Sequence, residues 1–314
     1  MSIHGLQRRA RNVGSGAQSR IKINYHSVAS RKDKFTMLTI PSIIAHRGAS
    51  WDAPENTLAA FLLAWMEGAD GIEADIQMTK DGEFVCVHDE SLERTTGKSK
   101  LVGNSTLEEV RALDAGKWKR ALYRGQKVPT LADVLSTVPV HGQVFIELKG
   151  GVEMIPGVRK QLKESKVVPA NVRIASFNVE TLMAAAEQMP EYPRLLLCMR
   201  TTNDGVWEPS LHILEATMRM VNAAGLYIDG VSLAGEPEIT KKVRAAGKEL
   251  HVWTVNRAPA ARIASAMGIT SLTTDRPGWL RRRLLATPAS STEKPKAAGK
   301  PGRKPGRKPR LMML

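Results

Sequence analysis

His46 and Arg47 stand side by side in IIAHRGAS, Glu73 and Asp75 two apart in GIEADIQM, His88 in VCVHDE, and Glu147 and Lys149 two apart in FIELKG. Residues two apart on an extended strand share a face. Glu73 and Asp75 alternate with Ile72, Ala74 and Ile76, so one face of that segment is acidic and the other apolar. A lone strand carboxylate is ordinarily a solvated charge; three at neighbouring strand ends would repel, raise one another's pKa and call for a cation. Three oxygen donors without cysteine suit a hard divalent ion, Ca2+ or Mg2+, with Mn2+ as a third candidate. An ion flanked by two imidazoles, Arg47 and Lys149 suits an anionic substrate, phosphate esters above all. Cations neutralise the non-bridging oxygens while imidazoles move protons.

The elements that must position these groups read as alternating strand and helix across residues 37–285. Strands are expected at Ile43–Ala45, Gly71–Met78, Gln143–Leu148, Arg173–Phe177, Leu195–Met199, Gly230–Leu233, Leu250–Val255 and Thr270–Thr274. Helical patterns fall between them: Asn56–Met66, Leu131–Val138, Val158–Ser165, Thr181–Met189, Leu211–Ala224, Pro237–Ala246 and Pro259–Met267, with Trp279–Leu285 closing the body. Asp81-Gly82 signals a tight turn that returns Phe84–Val87 as a hairpin partner of the second strand. The polar, Gly-rich stretch of about 91–130, with one short helical pattern at Leu107–Leu113, reads as an insertion. Eight strands interleaved with helices over this length predict a (β/α)8 barrel, and no Gly-rich nucleotide loop follows any strand to favour an open doubly wound sheet. In such a barrel the reactive groups lie at the C-terminal strand ends, where His46, Glu73, Asp75, His88 and Glu147 all fall.

The chain has 314 residues, 42% of them apolar, and a formal charge of +15. That charge is unevenly held. Residues 1–36 carry +7, residues 281–314 carry +10, and the body between is slightly acidic. The first 36 residues show no hydrophobic periodicity, and read as a basic extension, disordered or an over-long start before Met37. Residues 286–314, with the repeat GRKPGRKPR, read as a disordered Pro/Gly/Lys/Arg tail. The longest apolar run, Leu58–Met66, is far short of a bilayer span, and no signal-peptide core precedes the body. These features point to the cytoplasm, with a mitochondrial transit segment as the alternative in a eukaryotic chain. Cys86 and Cys198 sit in apolar runs and are expected to be buried and inert; they cannot make a disulfide framework. His4, His26, His141, His212 and His251 are given structural roles.

The stretch IIAHRGASWDAPENTLAAFLLAWMEGADGIEADIQMTKDGEFVCVHDESLERTTG is very similar to the opening of glycerophosphodiester phosphodiesterases. That pattern runs HRG, PENT with AF, GAD-IE-D, T-DG, V-HD and RTT, and every element is present in order between His46 and Gly97. Downstream, KVPTLADVL, FIELKG, SFN, VWTVN and TTDRP match later landmarks, so the resemblance covers residues 41–280. It implies a TIM barrel with a small insertion after the second strand and its hairpin partner. It further implies a divalent metal on Glu73, Asp75 and Glu147, His46 and His88 as the acid/base pair, and Arg47 and Lys149 on the substrate phosphate. Glu55 and Asn56 would shape the site mouth and Trp253 line the glycerol pocket. The implied reaction is hydrolysis of a small glycerophosphodiester to sn-glycerol 3-phosphate and an alcohol, with lysophospholipase D-type cleavage as the alternative. The basic tail carries a separate expectation, polyanion binding to nucleic acid or anionic lipid.

Overall fold

The chain divides into two units, Met1–Met37 and Leu38–Leu314. The structure is a computed structural model that describes residues 40–203 and 206–286. The expectations for the basic extension 1–36 and for the tail beyond residue 286, polyanion binding included, fall outside these residues.

Among the described residues there are eleven strands: β1 Ser42–His46, β2 Gly71–Met78, β3 Phe84–Cys86, β4 Gln143–Leu148, β5 Val172–Ser176, β6 Arg194–Cys198, β7 Thr201–Asn203, β8 Val206–Glu208, β9 Gly225–Asp229, β10 Glu249–Trp253 and β11 Ser271–Thr274. Eight of them pair in parallel in the order β1, β2, β4, β5, β6, β9, β10, β11, and β11 pairs back to β1. The closed eight-stranded parallel barrel is the expected (β/α)8 architecture. Strand β3 adds antiparallel to the end of β2, with Ile76 opposite Cys86. The hairpin of β7 with β8 stands apart from the barrel sheet.

Alternation along the strands sorts the side chains. Ile44, Phe145, Ala175, Leu195, Leu197 and Tyr227 come from five different barrel strands yet form one cluster, so they fill the interior. Their neighbours in sequence, among them Ile43, Ile72, Ile146 and Ile174, are also fully buried because they face the helices outside. Below the interior cluster the filling turns polar. Arg173 of β5 reaches Glu249 of β10 through two hydrogen bonds of 2.8 Å. His251, buried beneath Phe145, bonds Ser271 at 2.8 Å and Glu249 at 3.1 Å. A charged group inside a barrel must be paired, and this floor pairs all of its own.

The insertion has its own small core of Val85, Val87, Leu92, Val102, Val110, Ala115 and Val128, built on the hairpin strand. It carries a helix at Leu107–Arg111, opened by a reciprocal cap between Thr106 and Glu109, and a short helix at Glu93–Thr96 that the sequence reading did not anticipate.

Three sequence expectations need correction. The strand expected at Gly230–Leu233 is the preceding Gly225–Asp229, and Gly230–Gly235 is a helix. Asp229 decides this, because its carboxylate caps the backbone N–H groups of Val231 and Ser232. The first helix begins at Leu58 rather than Asn56, since Asn56 holds φ +54 and Thr57 provides the cap. The β7–β8 hairpin was not expected at all. Both cysteines are buried and free, as expected. Among the described residues no helix is long and apolar enough to cross a membrane.

Candidate active site

The first barrel turn aims the chain at the site. After His46 the backbone takes positive φ at Arg47 and Gly48. At Gly48 a Cβ would lie 2.5 Å from the carbonyl carbon of Ala60, so only glycine lets the turn close on the first helix. The turn points the Arg47 backbone N–H at Glu73 Oε2, 3.0 Å away.

Glu73 and Asp75 of β2 and Glu147 of β4 each present an oxygen within 4.8 Å of the others. Asp75 and Glu147 are direct register partners. Two cations answer the cluster in part. Lys149 Nζ lies 2.5 Å from Glu147 and 3.0 Å from Asp75 Oδ1, and Arg47 Nε lies 3.1 Å from Asp75 Oδ2. Asn56 donates to Asp75 Oδ2 at 2.8 Å and is itself held by the Cys86 thiol at 3.0 Å.

The consequences differ between the carboxylates. Burial opposes charge at Asp75, but Arg47 and Lys149 hold its pKa well below the usual range. Burial and the charges of Asp75 and Glu147 push Glu73 well up, and burial and Asp75 push Glu147 up to about 7. Asp75 Oδ1 is buried and faces only the Lys149 ammonium at 3.0 Å. Three clustered oxygen donors that hold one another's pKa apart fit a hard divalent cation.

Both site histidines are oriented by aspartates. His46 Nδ1 lies 2.7 Å from Asp275 Oδ1, and His88 Nδ1 lies 2.7 Å from Asp89 Oδ1. A carboxylate at Nδ1 selects the tautomer with its proton there and leaves Nε2 for proton exchange. Asp275 follows β11 and is fixed by Asn256 at 2.6 Å and Ser50 at 3.2 Å. Burial works against its charge, yet His46 and these donors keep its pKa low. Asp89 is held instead by Arg94, whose hydrogen bonds bring its pKa down to about 2. Burial lowers the pKa of His88 against the opposing influence of Asp75 and Asp89.

Arg94, from the insertion's short helix, is bidentate twice. It reaches Asp89 at 2.6 and 3.1 Å and Glu55 at 2.7 and 2.9 Å. Glu55 in turn accepts from Arg47 at 2.9 Å. One guanidinium thereby links His88 to Arg47 through two carboxylates.

His46, Arg47, Glu73, His88, Glu147 and Lys149 line one cleft with Phe177, Leu197, Tyr227 and Trp253. All but three of the sequence-derived candidates therefore line the cleft itself. Asp75 is buried in the acidic cluster, Asn56 lies beneath it, and Glu55 stands behind Arg47. Trp253 forms part of an apolar wall, its indole edge-on to Phe177 and Tyr227. Sequence reasoning gave no role to Asp275, Asn256, Arg94, Phe177 or Tyr227. Asp275 directly follows the eighth barrel strand, and that position was the available signal.

Comparison with known proteins follows the same lines. Residues 46–279 match the model of the glycerophosphoryl diester phosphodiesterase family. A glycerophosphodiester phosphodiesterase of Caldanaerobacter subterraneus subsp. tengcongensis is 35% identical over 243 residues, covering 76% of this chain and 95% of that protein. One of Bacillus subtilis is 32% identical over 253 residues, covering 74% of this chain and 83% of the relative. Among solved structures, an Oleispira antarctica phosphodiesterase in complex with the product sn-glycerol-3-phosphate superposes with a TM-score of 0.70 at 27% identity, covering 78% of this chain and 97% of the other.

Proposed function

The chain belongs to the glycerophosphoryl diester phosphodiesterase family, and from that premise we propose that it hydrolyses small glycerophosphodiesters to sn-glycerol 3-phosphate and an alcohol with two histidines as proton carriers and a divalent cation on Glu73, Asp75 and Glu147. The observation that carries this reading is the pair of histidine–aspartate contacts on either side of one carboxylate cluster in one cleft.

The cation, when bound, supplies Lewis-acid stabilisation of the non-bridging phosphate oxygens. The chain's own residues do the rest. Arg47 and Lys149 add fixed positive charge at the phosphate, where negative charge builds up in the transition state. One histidine receives at Nε2 the proton of the water whose oxygen bonds to phosphorus. The other delivers its Nε2 proton to the oxygen of the departing alcohol as the P–O bond breaks, and proton exchange with solvent then resets both rings. Asp275 and Asp89 stabilise whichever ring is charged. The apolar wall of Phe177, Leu197, Tyr227 and Trp253 suits the carbon skeleton of the glycerol. The reading needs only residues 37–285, with the insertion at about 91–130 supplying Arg94.

Release of glycerol 3-phosphate from glycerophosphocholine tests the reading. Activity should vanish in EDTA and return with Ca2+ or Mg2+. His46→Ala and His88→Ala should each lose at least ~10²-fold in kcat while remaining folded, the usual contribution of a proton-transfer group. Near wild-type turnover in either variant, or full activity in excess chelator with no metal bound, would refute it.

A further inference from the structure

Between Ala115 and Ala132 the insertion has five basic residues, Lys117, Lys119, Arg120, Arg124 and Lys127, and no acidic one. None of the five makes an ion pair among the described residues. The segment is nevertheless a built loop. Asp114 gathers the N–H groups of Gly116, Lys117 and Gly125 at 2.9–3.0 Å, and Ala115 N–H donates to Gln126 O at 2.8 Å. The loop thus holds four of its cations, Lys117, Arg120, Arg124 and Lys127, exposed on a fixed frame, although charge repulsion would otherwise spread them.

Apolar side chains stand exposed on the same loop. Leu122 is 83% exposed and Trp118 is 38% exposed, its indole N–H satisfied by Ala115 O. A solvated basic face has no use for a leucine at its tip. Basic residues interleaved with an exposed tryptophan and leucine form the composition of an interfacial element, with rings and aliphatic chains entering the headgroup region while cations meet anionic lipid.

The loop's position relates this surface to the catalytic cleft. Lys119 Nζ donates to Ser50 O at 2.7 Å and the Tyr123 hydroxyl to Asp52 O at 3.0 Å, which docks the loop on the segment after β1. Between those two contacts lies Trp51, itself 51% exposed, whose N–H donates to Asp275 O. Ser50 Oγ also reaches the Asp275 carboxylate. The basic loop and the His46–Asp275 pair therefore lie on opposite sides of one three-residue segment.

We propose that the Asp114-centred loop and Trp51 form a docking surface for an anionic phospholipid bilayer, which sets the catalytic cleft at the lipid–water boundary. A soluble polyanion would use the cations and leave Leu122 idle, so the exposed leucine and indoles favour the lipid surface.

The test uses the full chain and vesicles of phosphatidylglycerol and phosphatidylcholine, with sedimentation measured across a salt series. The basic tail is common to all variants, and its share is screened at 0.5 M salt. Each surface cation near an anionic bilayer is worth about fivefold in partitioning, so replacing Lys117, Arg120, Arg124 and Lys127 by Gln should weaken low-salt binding at least ~10-fold. Leu122→Ser with Trp118→Ser should weaken the binding that survives at 0.5 M salt by roughly tenfold. Hydrolysis of soluble glycerophosphoglycerol should stay unchanged in every variant, and its loss in all proteins would overturn the functional reading and leave this one standing. Vesicle binding equal to wild type in both loop variants would overturn the proposal. So would binding to duplex DNA that depends on the cations while Leu122→Ser and Trp118→Ser leave vesicle binding unchanged.

Discussion

His46 and Asp275, 229 positions apart, meet in a 2.7 Å contact at the seam where β11 closes the barrel on β1. The contact depends on closure, because it exists only when Ala45 pairs with Thr274 in register. It also defines what His46 can do. With Nδ1 committed to a carboxylate, only Nε2 can exchange a proton with substrate, and the carboxylate stabilises the charged ring.

Asp275→Asn keeps the shape of the side chain and removes the charge. Its amide can present an N–H to Nδ1, which would select the wrong tautomer of His46. The variant should fold with a barrel of near wild-type stability and lose ~10²–10⁴-fold in kcat, with KM changed little. Steady-state kinetics on glycerophosphocholine with a parallel thermal melt checks this, and a loss confined to KM would assign Asp275 to binding instead.

Arg94 should behave as a positioning residue for two groups at once. Its removal frees Asp89 behind His88 and Glu55 behind Arg47. Arg94→Ala should therefore lower kcat and raise KM together, by roughly tenfold or more in kcat/KM, and Arg94→Lys should recover part of the loss by restoring charge without the fork. Stability should move by no more than ~1 kcal/mol, since the guanidinium is 43% exposed. In a double-mutant cycle Arg94→Ala and Asp89→Asn should be strongly non-additive, and additivity would show that they act separately.

Glu73→Gln separates metal binding from folding. In the metal-free protein Glu73 is buried beside Asp75 and Glu147, and its charge is opposed by both. Replacing it by a neutral amide should raise the melting temperature of the chelator-treated protein. The same change should abolish the stabilisation that Ca2+ or Mg2+ gives wild type, which follows mass action on the folded state. Calorimetry with and without metal reads both effects, and an unchanged metal-induced shift would remove Glu73 from the ligand set.

Much of this site was legible because a strand end declares itself in sequence. His46, Glu73, Asp75, His88, Glu147 and Lys149 each sit where an apolar alternation stops or turns acidic. Asp275 and Asn256 did not declare themselves, because their function comes from a pairing across the whole chain that no local pattern encodes. Arg94 was hidden for a different reason. It lies in a polar insertion where arginine is ordinary, and only the fold brings it to Glu55. The misplaced strand at Gly230–Leu233 was a contest between Val231 and Leu233, apolar residues two apart, and a capping aspartate, which the cap won.

The barrel floor should make stability acid-sensitive through Glu249. Burial opposes its charge, but hydrogen bonds from His251 and Arg173 bring its pKa to about 2, below the ~4.3 of an unfolded glutamate. A depressed carboxylate contributes stability in full above the unfolded pKa and loses it as pH falls through the folded one. The contribution of Glu249 should thus fade between about pH 4 and pH 2. His251 adds to the loss at milder acidity. Burial holds its pKa below that of an unfolded histidine, so the unfolded chain takes up the proton first as pH drops below ~6.5. Wild type should therefore lose melting temperature gradually from pH 7 and more steeply below pH 4. Glu249→Gln should cost about 1–3 kcal/mol at pH 7, where it breaks a bidentate pair with Arg173 that is partly exposed. The gap between the two proteins should narrow below pH 4 and close only at about pH 2, where wild type loses the same charge. Thermal melts of both across pH 2–8 decide it, and parallel curves with a constant gap would show that the Glu249 charge is not what the floor depends on.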